Sequence, residues 1–145
     1  MDKSELTQIV HASCVSLDNK AVLIRGESGS GKSALALQLV ALGACLVADD
    51  RTVVCRSDGT LVASAPPEIS GLIEARGIGI LRAEAAASGE VVLVVDLDRA
   101  EMKRFPDRHD VELCGLQIPC LHKIQGAYFP AAILQYLKGG RQDPS

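Results

Sequence analysis

The sequence of 145 residues lacks tryptophan altogether, and aromatic residues make up only 3% of it. It also lacks an excess of positive charge, since 15 lysines and arginines stand against 18 aspartates and glutamates. Domains that bind nucleic acid normally carry a basic surface, so we expect no nucleic-acid partner. Neither an apolar run of about 20 residues nor the layout of a secretion signal occurs. The expected location is therefore the cytoplasm, without membrane contact.

Paired cysteine motifs are missing as well. The five cysteines include no C-x-x-C pair, and their odd number argues against a disulfide framework in a cytoplasmic chain. We expect most of them to act as small buried apolar side chains. A zinc site that uses His11, His109 or His122 has no supporting ligand spacing, so the sequence does not predict one.

The sequence does contain a complete G-x-x-x-x-G-K-S pattern at residues 26–33. An apolar run at 21–25 precedes it, and an apolar, helix-forming run at 34–42 follows it. Strand, loop and helix in this order are the context in which the pattern binds nucleotide phosphates. Glycines let successive backbone N–H groups converge on phosphate oxygens, at the positive end of the helix dipole. The predicted nucleotide-binding residues are Gly26, Glu27, Ser28, Gly29, Ser30, Gly31, Lys32 and Ser33.

Two side chains of this loop have specific predicted roles. Lys32 would reach the terminal phosphates of ATP, and the Ser33 hydroxyl would be a ligand of Mg²⁺. The alternative is a glycine-rich turn with a chance lysine. Because every fixed position and both flanks fit the nucleotide-binding pattern, we favour the nucleotide site.

The rest of the chain predicts one α/β domain over residues 1–138 and a frayed tail over 139–145. Short apolar strands outnumber long helices, and two hairpins, with turns at 18–19 and 57–60, accompany the loop and its helix. Hairpins beside a strand–loop–helix unit indicate a mixed β-sheet with flanking helices.

Two places compete for the acidic residue that a nucleotide site needs. The apolar run 91–95 ends in Asp96, in the form of a strand followed by a magnesium-binding aspartate. The shorter run 46–48 ends in the pair Asp49 and Asp50. Paired acids suit a site that must bind a metal and also accept a proton. A solvated turn after a strand fits the pair equally well at this stage.

Glu74 and Arg76 are open to two interpretations. An acid and a base two residues apart can form an ion pair on one face of an edge strand. They can also be a metal ligand and a phosphate contact, and Gly77 and Gly79 would permit the close approach of a ligand. The residues alone slightly favour the ion pair.

Together these segments resemble the catalytic domain of bacterial HPr kinase/phosphorylase, over about two thirds of the chain. A histidine and a small residue come first, at 11–12, and the loop at 26–33 follows. Leu-Val-Ala-Asp-Asp at 46–50 precedes Glu-Ala-Arg-Gly-Ile-Gly-Ile at 74–80, which is close to the family's E-I-R-G-L-G-I. Pro-Asp-Arg at 106–108 stands where the family has Y-D-R.

The resemblance implies an HPr kinase / PEP carboxykinase-like fold and favours Asp49 and Asp50 over Asp96. It implies that Asp50 is the general base that takes the proton of an acceptor serine. It further implies that His11 orients Asp50 or the phosphate, with a core histidine as the alternative. The other implied roles are Asp49 supporting Asp50 or a magnesium-bound water, Lys32 neutralising the transferred phosphate, Ser33 and Glu74 holding Mg²⁺, and Arg108 stabilising the transition state.

Departures from the family pattern narrow the expected activity. The resemblance implies a short form without the family's amino-terminal domain, like those of some proteobacteria. The family's P-V-R-P-G-R-N loop is replaced by Pro-Cys-Leu-His-Lys-Ile-Gln-Gly at 119–126, which argues against the phosphorylase reaction. Docking of HPr through this loop, and the hexameric assembly of the family, are left open by the same change.

The resemblance therefore implies an ATP- and Mg²⁺-dependent serine kinase that acts on HPr or an HPr-like phosphocarrier. Two alternatives remain. One is a P-loop kinase for a small molecule, although no arginine-bearing lid is recognisable. The other is a regulator that senses ATP without transferring phosphate, although all the carboxylates of the pattern are kept.

Overall fold

The computed structural model describes residues 6–143. Residues 1–5 of the predicted domain and residues 144–145 of the predicted tail lie outside this range. The elements, in chain order, are β1 (Thr7–Val10), β2 (Ala12–Leu17), β3 (Lys20–Arg25), α1 (Lys32–Ala41), β4 (Cys45–Ala48), β5 (Thr52–Ser57), β6 (Thr60–Ser64), a 3-10 helix (Pro67–Ile69), β7 (Leu72–Ala75), β8 (Gly79–Arg82), β9 (Gly89–Ala100), β10 (His109–Leu113), β11 (Leu116–Lys123) and α2 (Phe129–Gly139).

Nine strands form one mixed sheet, with the order β1-β5-β6-β9-β3-β2-β4 along its main path. The long strand β9 runs parallel to β3 on one edge. Its other edge pairs with β6 near its beginning and with β11 near its end. Strand β10 pairs with β11, while β7 and β8 form a separate hairpin. The predicted mixed sheet with flanking helices is confirmed.

Apolar side chains cover both faces of the central strands, which explains their uninterrupted apolar sequences. On β3, Val22 and Ile24 pack with α1 and α2, whereas Ala21 and Leu23 pack on the opposite face with residues of β5, β6 and β11. The sheet therefore curls around a second apolar cluster. This arrangement makes β3 rigid at the point where its carboxyl end enters residues 26–31.

Local turn chemistry sets the hairpins that the sequence predicts. Asp18 and Asn19, between β2 and β3, have φ angles of 50° and 67°. Positive φ at both central residues is typical of a two-residue turn whose twist matches the flanking strands, and Asp and Asn tolerate it well. The predicted tail begins inside α2, which extends to Gly139. None of the described helices is long and apolar enough to cross a membrane.

Candidate active site

The glycine-rich loop joins the end of β3 to the start of α1. Helix α1 begins at Lys32 with Gly31 as its N-cap residue, at φ 104° and without a side-chain cap. The N–H groups of the first helical turn lack intrahelical acceptors, so this helix end presents free donors and a positive dipole end. At Gly26 a methyl group would lie 2.5 Å from the Ser30 hydroxyl oxygen. Close packing thus requires glycine there.

Lys32 is buried and folds back onto its own loop. Its Nζ donates to the backbone carbonyl of Gly26 at 2.9 Å and to that of Glu27 at 3.2 Å. Ser30 lies beside these groups, and among the described residues its buried hydroxyl has no hydrogen-bond partner. A buried ammonium and an unpartnered hydroxyl in one loop are groups that an anionic ligand would satisfy.

Asp49 is the centre of the hydrogen-bond network beside the loop. Its Oδ1 accepts from the Ser33 hydroxyl at 2.6 Å and from the Ser13 hydroxyl at 2.9 Å, and its Oδ2 accepts from the Glu74 backbone N–H at 2.9 Å. Asp49 is only 8% exposed. A buried carboxylate with three donors is held rigidly, and it ties β2, β4, β7 and α1 together at one point.

Asp50 points differently from its neighbour. Its backbone has φ 65°, in the left-handed region, so its side chain leaves the strand direction. Asp50 Oδ1 lies 2.7 Å from His11 Nε2. The Asp50 side chain is 60% exposed, and the His11 side chain is 50% exposed. The backbone N–H of Asp50 donates to the Ser13 hydroxyl. The pair Asp49 and Asp50 is thus divided between a buried carboxylate and a solvent-accessible one.

The hairpin β7–β8 carries the other predicted residues of this region. Glu74 is exposed on β7, and its backbone N–H binds Asp49. Arg76 and Gly77 lie in the turn that follows, and Gly77 has φ 88° while Gly79 has φ 132°. Within residues 6–143 Glu74 and Arg76 form no ion pair with each other. The structure therefore joins Glu74 to the Asp49 network through its backbone.

Asp96 is engaged elsewhere. Its Oδ2 lies 3.4 Å from an Arg25 guanidinium nitrogen and 3.6 Å from Arg99 Nε. Two residues further along β9, both carboxylate oxygens of Asp98 accept from the Glu27 backbone N–H, at 3.1 and 3.0 Å. Strand β9 thus contacts the glycine-rich loop through Asp98, while Asp96 is neutralised by two arginines.

Arg108 lies in a cleft on the β10–β11 side of β9. The cleft measures about 390 Å³, and Arg25, Arg99 and Arg108 contribute to its lining. Arg108 donates from Nε to Asp110 Oδ1 at 3.1 Å, which raises the pKa of its guanidinium. Lys32, Asp50 and Glu74 are not part of this lining. The structure therefore joins His11, Ser33, Asp49, Asp50 and Glu74 in one hydrogen-bonded network, with Lys32 next to Ser33 in the loop, and leaves Arg108 outside it.

The same cleft holds a second cluster of chemically active side chains. His109 and His122 stack with ring centroids 4.0 Å apart, and His109 Nε2 lies 2.9 Å from Glu101 Oε1. Burial lowers the pKa of His122, and the neighbouring His109 lowers it further. Glu101, His109 and His122 present ligand atoms that all lie within 4.8 Å of one another. The sequence spacing of these residues did not predict their meeting.

Sequence reasoning also missed Ser13 and Asp98. Ser13 bridges the two neighbouring acids, since it donates to Asp49 and accepts from the Asp50 N–H. Its only signal is its position two residues after His11, which directly precedes β2. Asp98 could have been found in the same way, because it follows Asp96 by two residues at the end of a strand that is parallel to β3.

These features define the class of protein: an α/β domain in which a glycine-rich loop leads from a buried parallel strand into a helix, beside a buried aspartate. The family model for the HPr Serine kinase C-terminal domain matches residues 3–122. The chain therefore belongs to the HPr serine kinase C-terminal domain family, as its sequence pattern predicted.

Individual relatives agree with this assignment. The HPr kinase/phosphorylase of Caldicellulosiruptor bescii is 39% identical over 124 residues, which are 77% of this chain and 40% of that protein. The HPr kinase/phosphorylase of Enterococcus faecalis is 40% identical over 123 residues, which are 76% of this chain and 40% of that protein. The chain thus spans about two fifths of the length of these curated relatives.

A solved structure has the same fold. The HPr(Ser) kinase/phosphatase of Coxiella burnetii superposes with a TM-score of 0.78 at 26% sequence identity. The match covers 90% of this chain and 88% of that chain. The predicted fold class is therefore confirmed over most of the described residues.

Proposed function

We propose that this domain is an ATP- and Mg²⁺-dependent serine kinase that phosphorylates HPr or an HPr-like phosphocarrier. The observation that carries the proposal is the joining of the glycine-rich loop to Asp49 and Asp50 by the Ser33–Asp49–Ser13 hydrogen bonds. Membership of the HPr serine kinase C-terminal domain family supports the choice of acceptor. The reaction is proposed in the forward direction, because the segment at 119–126 departs from the family's loop.

The residues of the loop fit a nucleoside triphosphate. The loop carries two kinds of hydrogen-bond donor. One is the set of backbone N–H groups at the uncapped start of α1, and the other is the buried hydroxyl of Ser30, which has no partner among the described residues. Lys32 Nζ binds only carbonyl oxygens of Gly26 and Glu27. A phosphate oxygen is a stronger acceptor for an ammonium than a carbonyl, so we expect Lys32 to exchange these bonds for the terminal phosphates of ATP.

The donor set next to the loop also fits magnesium. Mg²⁺ prefers oxygen ligands and keeps several waters, and a hydroxyl from the loop with one aspartate is the usual protein contribution in phosphate-loop proteins. Ser33 and Asp49 supply that pair here, at 2.6 Å from each other. Glu74, whose backbone N–H donates to Asp49, is proposed to supply the third protein oxygen ligand of Mg²⁺. When bound, Mg²⁺ would neutralise charge on the phosphates.

Asp50 suits the role of general base for the acceptor serine. Its carboxylate is accessible to a second protein, and its distance of 2.7 Å from His11 fixes its direction. Asp49, in contrast, has its oxygens occupied by three donors and cannot readily accept a proton from the acceptor. The proposed division is that Asp49 serves the metal and Asp50 takes the serine proton.

Arg108 is proposed to add positive charge to the transferring phosphoryl group, together with Lys32. Its guanidinium now pairs with Asp110 in the cleft beside β9. The proposed role therefore requires Arg108 to leave Asp110 when the phosphocarrier binds. Arg76, at the exposed turn after β7, is proposed as a further contact to the phosphocarrier or its phosphate.

Transfer of label tests the proposal. The protein, γ-labelled ATP and purified HPr from the same organism would be incubated with and without Mg²⁺, and the labelled residue identified by mass spectrometry. We expect label on one serine, a loss of about 10²-fold or more in rate with Asp50→Asn, and little change with Asp58→Asn. Asp58 is a matched control, because it is an exposed aspartate whose φ of 50° is also positive.

The outcomes separate the alternatives. Undiminished transfer by Asp50→Asn would remove Asp50 from the mechanism. ATP binding without label on any phosphocarrier would favour an ATP-sensing regulator. Label that appears on a small molecule of a cell extract, and not on HPr, would favour a small-molecule kinase.

A further inference from the structure

We propose that Glu101, His109 and His122 form a binding site for one divalent transition-metal ion of the zinc class. The site is separate from the proposed magnesium site, since among the described residues Glu101 hydrogen-bonds to Met102, Lys103 and His109, whereas Ser33 hydrogen-bonds to Asp49. Two imidazoles and one carboxylate, with a fourth position open to water, are an established ligand set for zinc. The bound ion would fasten segment 102–108 to β11.

Strand pairing holds the three ligands at one end of the sheet. His109 is paired directly with Cys120 on β11, so His122, two residues later, is its diagonal neighbour on the same face. Glu101 directly follows β9, and its backbone N–H donates to the Lys123 carbonyl at 2.8 Å. Each ligand therefore comes from a different strand or strand end, and hydrogen bonds between the strands set their separation.

The carboxylate is already oriented toward the histidines. Its Oε2 accepts from the backbone N–H groups of Met102 and Lys103, at 3.0 and 3.2 Å. Its Oε1 is therefore the oxygen directed at His109 Nε2, 2.9 Å away. Fixing a ligand through its second atom is how outer hydrogen bonds prepare metal sites. The Glu101 side chain is only 11% exposed, whereas that of His109 is 32% exposed.

The distances require little rearrangement for tetrahedral binding. Zn–N and Zn–O bonds of about 2.0–2.1 Å place neighbouring ligand atoms about 3.3 Å apart. The atoms of Glu101 and His109 are already closer than this, and every pair lies within 4.8 Å. Because a metal ion lies in the plane of each imidazole that binds it, the His122 ring must also tilt out of its stack on His109, since the two ring planes are now only 9° apart. With that tilt, a closure of about 1.5 Å or less completes the geometry.

The surrounding charges do not oppose a cation. Arg99 and Arg108 line the same cleft, but Arg99 lies 3.6 Å from Asp96, and Arg108 lies 3.1 Å from Asp110. Arg25, which also lines the cleft, shares Asp96 with Arg99. Two carboxylates thus face three arginines, and the carboxylate of Glu101 supplies the third negative charge.

Calorimetric titration with ZnCl₂, in excess Mg²⁺ that occupies the proposed magnesium site, tests the proposal. We expect one ion per chain for the unmodified protein. The double variant His109→Gln/His122→Gln and the single variant Glu101→Gln should each weaken binding by about 100-fold or more. Glu112→Gln is the control, because Glu112 is an exposed acid on β10, and it should bind as the unmodified protein does. Equal affinity in all four proteins would overturn the site.

Two measurements on the unmodified protein keep the test independent of how well the variants fold. Bound Co²⁺ should show weak visible bands without the strong near-ultraviolet band of cobalt–thiolate bonds, and a strong thiolate band would assign the metal to cysteines instead. Zinc should also slow tryptic cleavage after Lys103 and Arg104 by about fivefold or more, because the bound ion would fasten segment 102–108 to β11. Cleavage after Arg76, in the exposed β7–β8 turn, serves as the internal control. Equal slowing at all three positions, or no slowing at any of them, would refute the fastening of segment 102–108 to β11.

Discussion

Replacing Asp49 by asparagine tests whether its carboxylate holds the site together. The side chain keeps its shape, but only one of its two terminal atoms can still accept. If the amide oxygen accepts from the Glu74 N–H, the amide nitrogen faces the hydroxyls of Ser13 and Ser33, which now donate to Asp49. All three hydrogen bonds to a charged acceptor are then replaced by neutral ones at best.

The expected cost follows from these contacts. Hydrogen bonds to charged groups contribute about 1.5–3 kcal/mol, whereas neutral ones contribute about 0.5–1.5 kcal/mol. Three weakened bonds lower the free energy of unfolding by about 3 kcal/mol. For a domain of this size that corresponds to a melting temperature lower by about 9 °C. Such a loss is a large fraction of the stability of an ordinary domain.

Urea unfolding followed by circular dichroism measures this loss, with an unchanged m-value as evidence that the unfolded state is the same. Asp58→Asn, in the exposed turn between β5 and β6, should change the free energy of unfolding by less than about 0.5 kcal/mol. A double-mutant cycle with Ser33→Ala should give a coupling of about 1 kcal/mol. A loss below about 0.5 kcal/mol for Asp49→Asn, or strict additivity in the cycle, would refute the network as described.

Three further predictions concern packing, loop order and thiol reactivity. Gly26→Ala should lower the free energy of unfolding by about 1–3 kcal/mol, because its methyl would lie 2.5 Å from the Ser30 hydroxyl oxygen; urea unfolding checks this, and wild-type stability would contradict it. Asp98→Ala should speed hydrogen exchange of the Glu27 amide by about tenfold, since it removes the acceptor of that N–H; unchanged exchange would show that the bond is absent in solution. Burial raises the pKa of the Cys14 thiol well above its ordinary range, so a thiol reagent at pH 8 should label it only after unfolding, and labelling of the folded protein at the rate of a free thiol would contradict its burial.

Short-range patterns carried most of the correct fold prediction. The run at 21–25 is apolar throughout because both faces of β3 are buried, and this makes it recognisable without any knowledge of its partners. The turn at Asp18-Asn19 is equally local, since these residue types tolerate the positive φ that a tight hairpin needs. Patterns of this kind depend on neighbours in sequence, so they predict local structure without knowledge of the tertiary contacts.

Choices between equivalent side chains needed the tertiary structure. In the sequence, Asp96 after its long apolar run looked as suitable for magnesium as Asp49 did. In the structure Arg25 and Arg99 flank Asp96, whereas Ser33 donates to Asp49. Partners that lie 16 or 71 residues away decide which carboxylate faces the loop, and no local pattern records them.

The glycine-rich loop, the acidic pair after β4 and the apolar runs of the central strands were determined by the sequence alone, because each depends on residue types at fixed short spacing. The different environments of Asp49 and Asp50 were decided by the fold, because they arise from the left-handed backbone of Asp50 and from three donors around Asp49. The same is true of Glu101, His109 and His122, whose spacing argued against a metal site. Strand pairing brings them together, and pairing across a sheet is a long-range property that spacing along the chain does not contain.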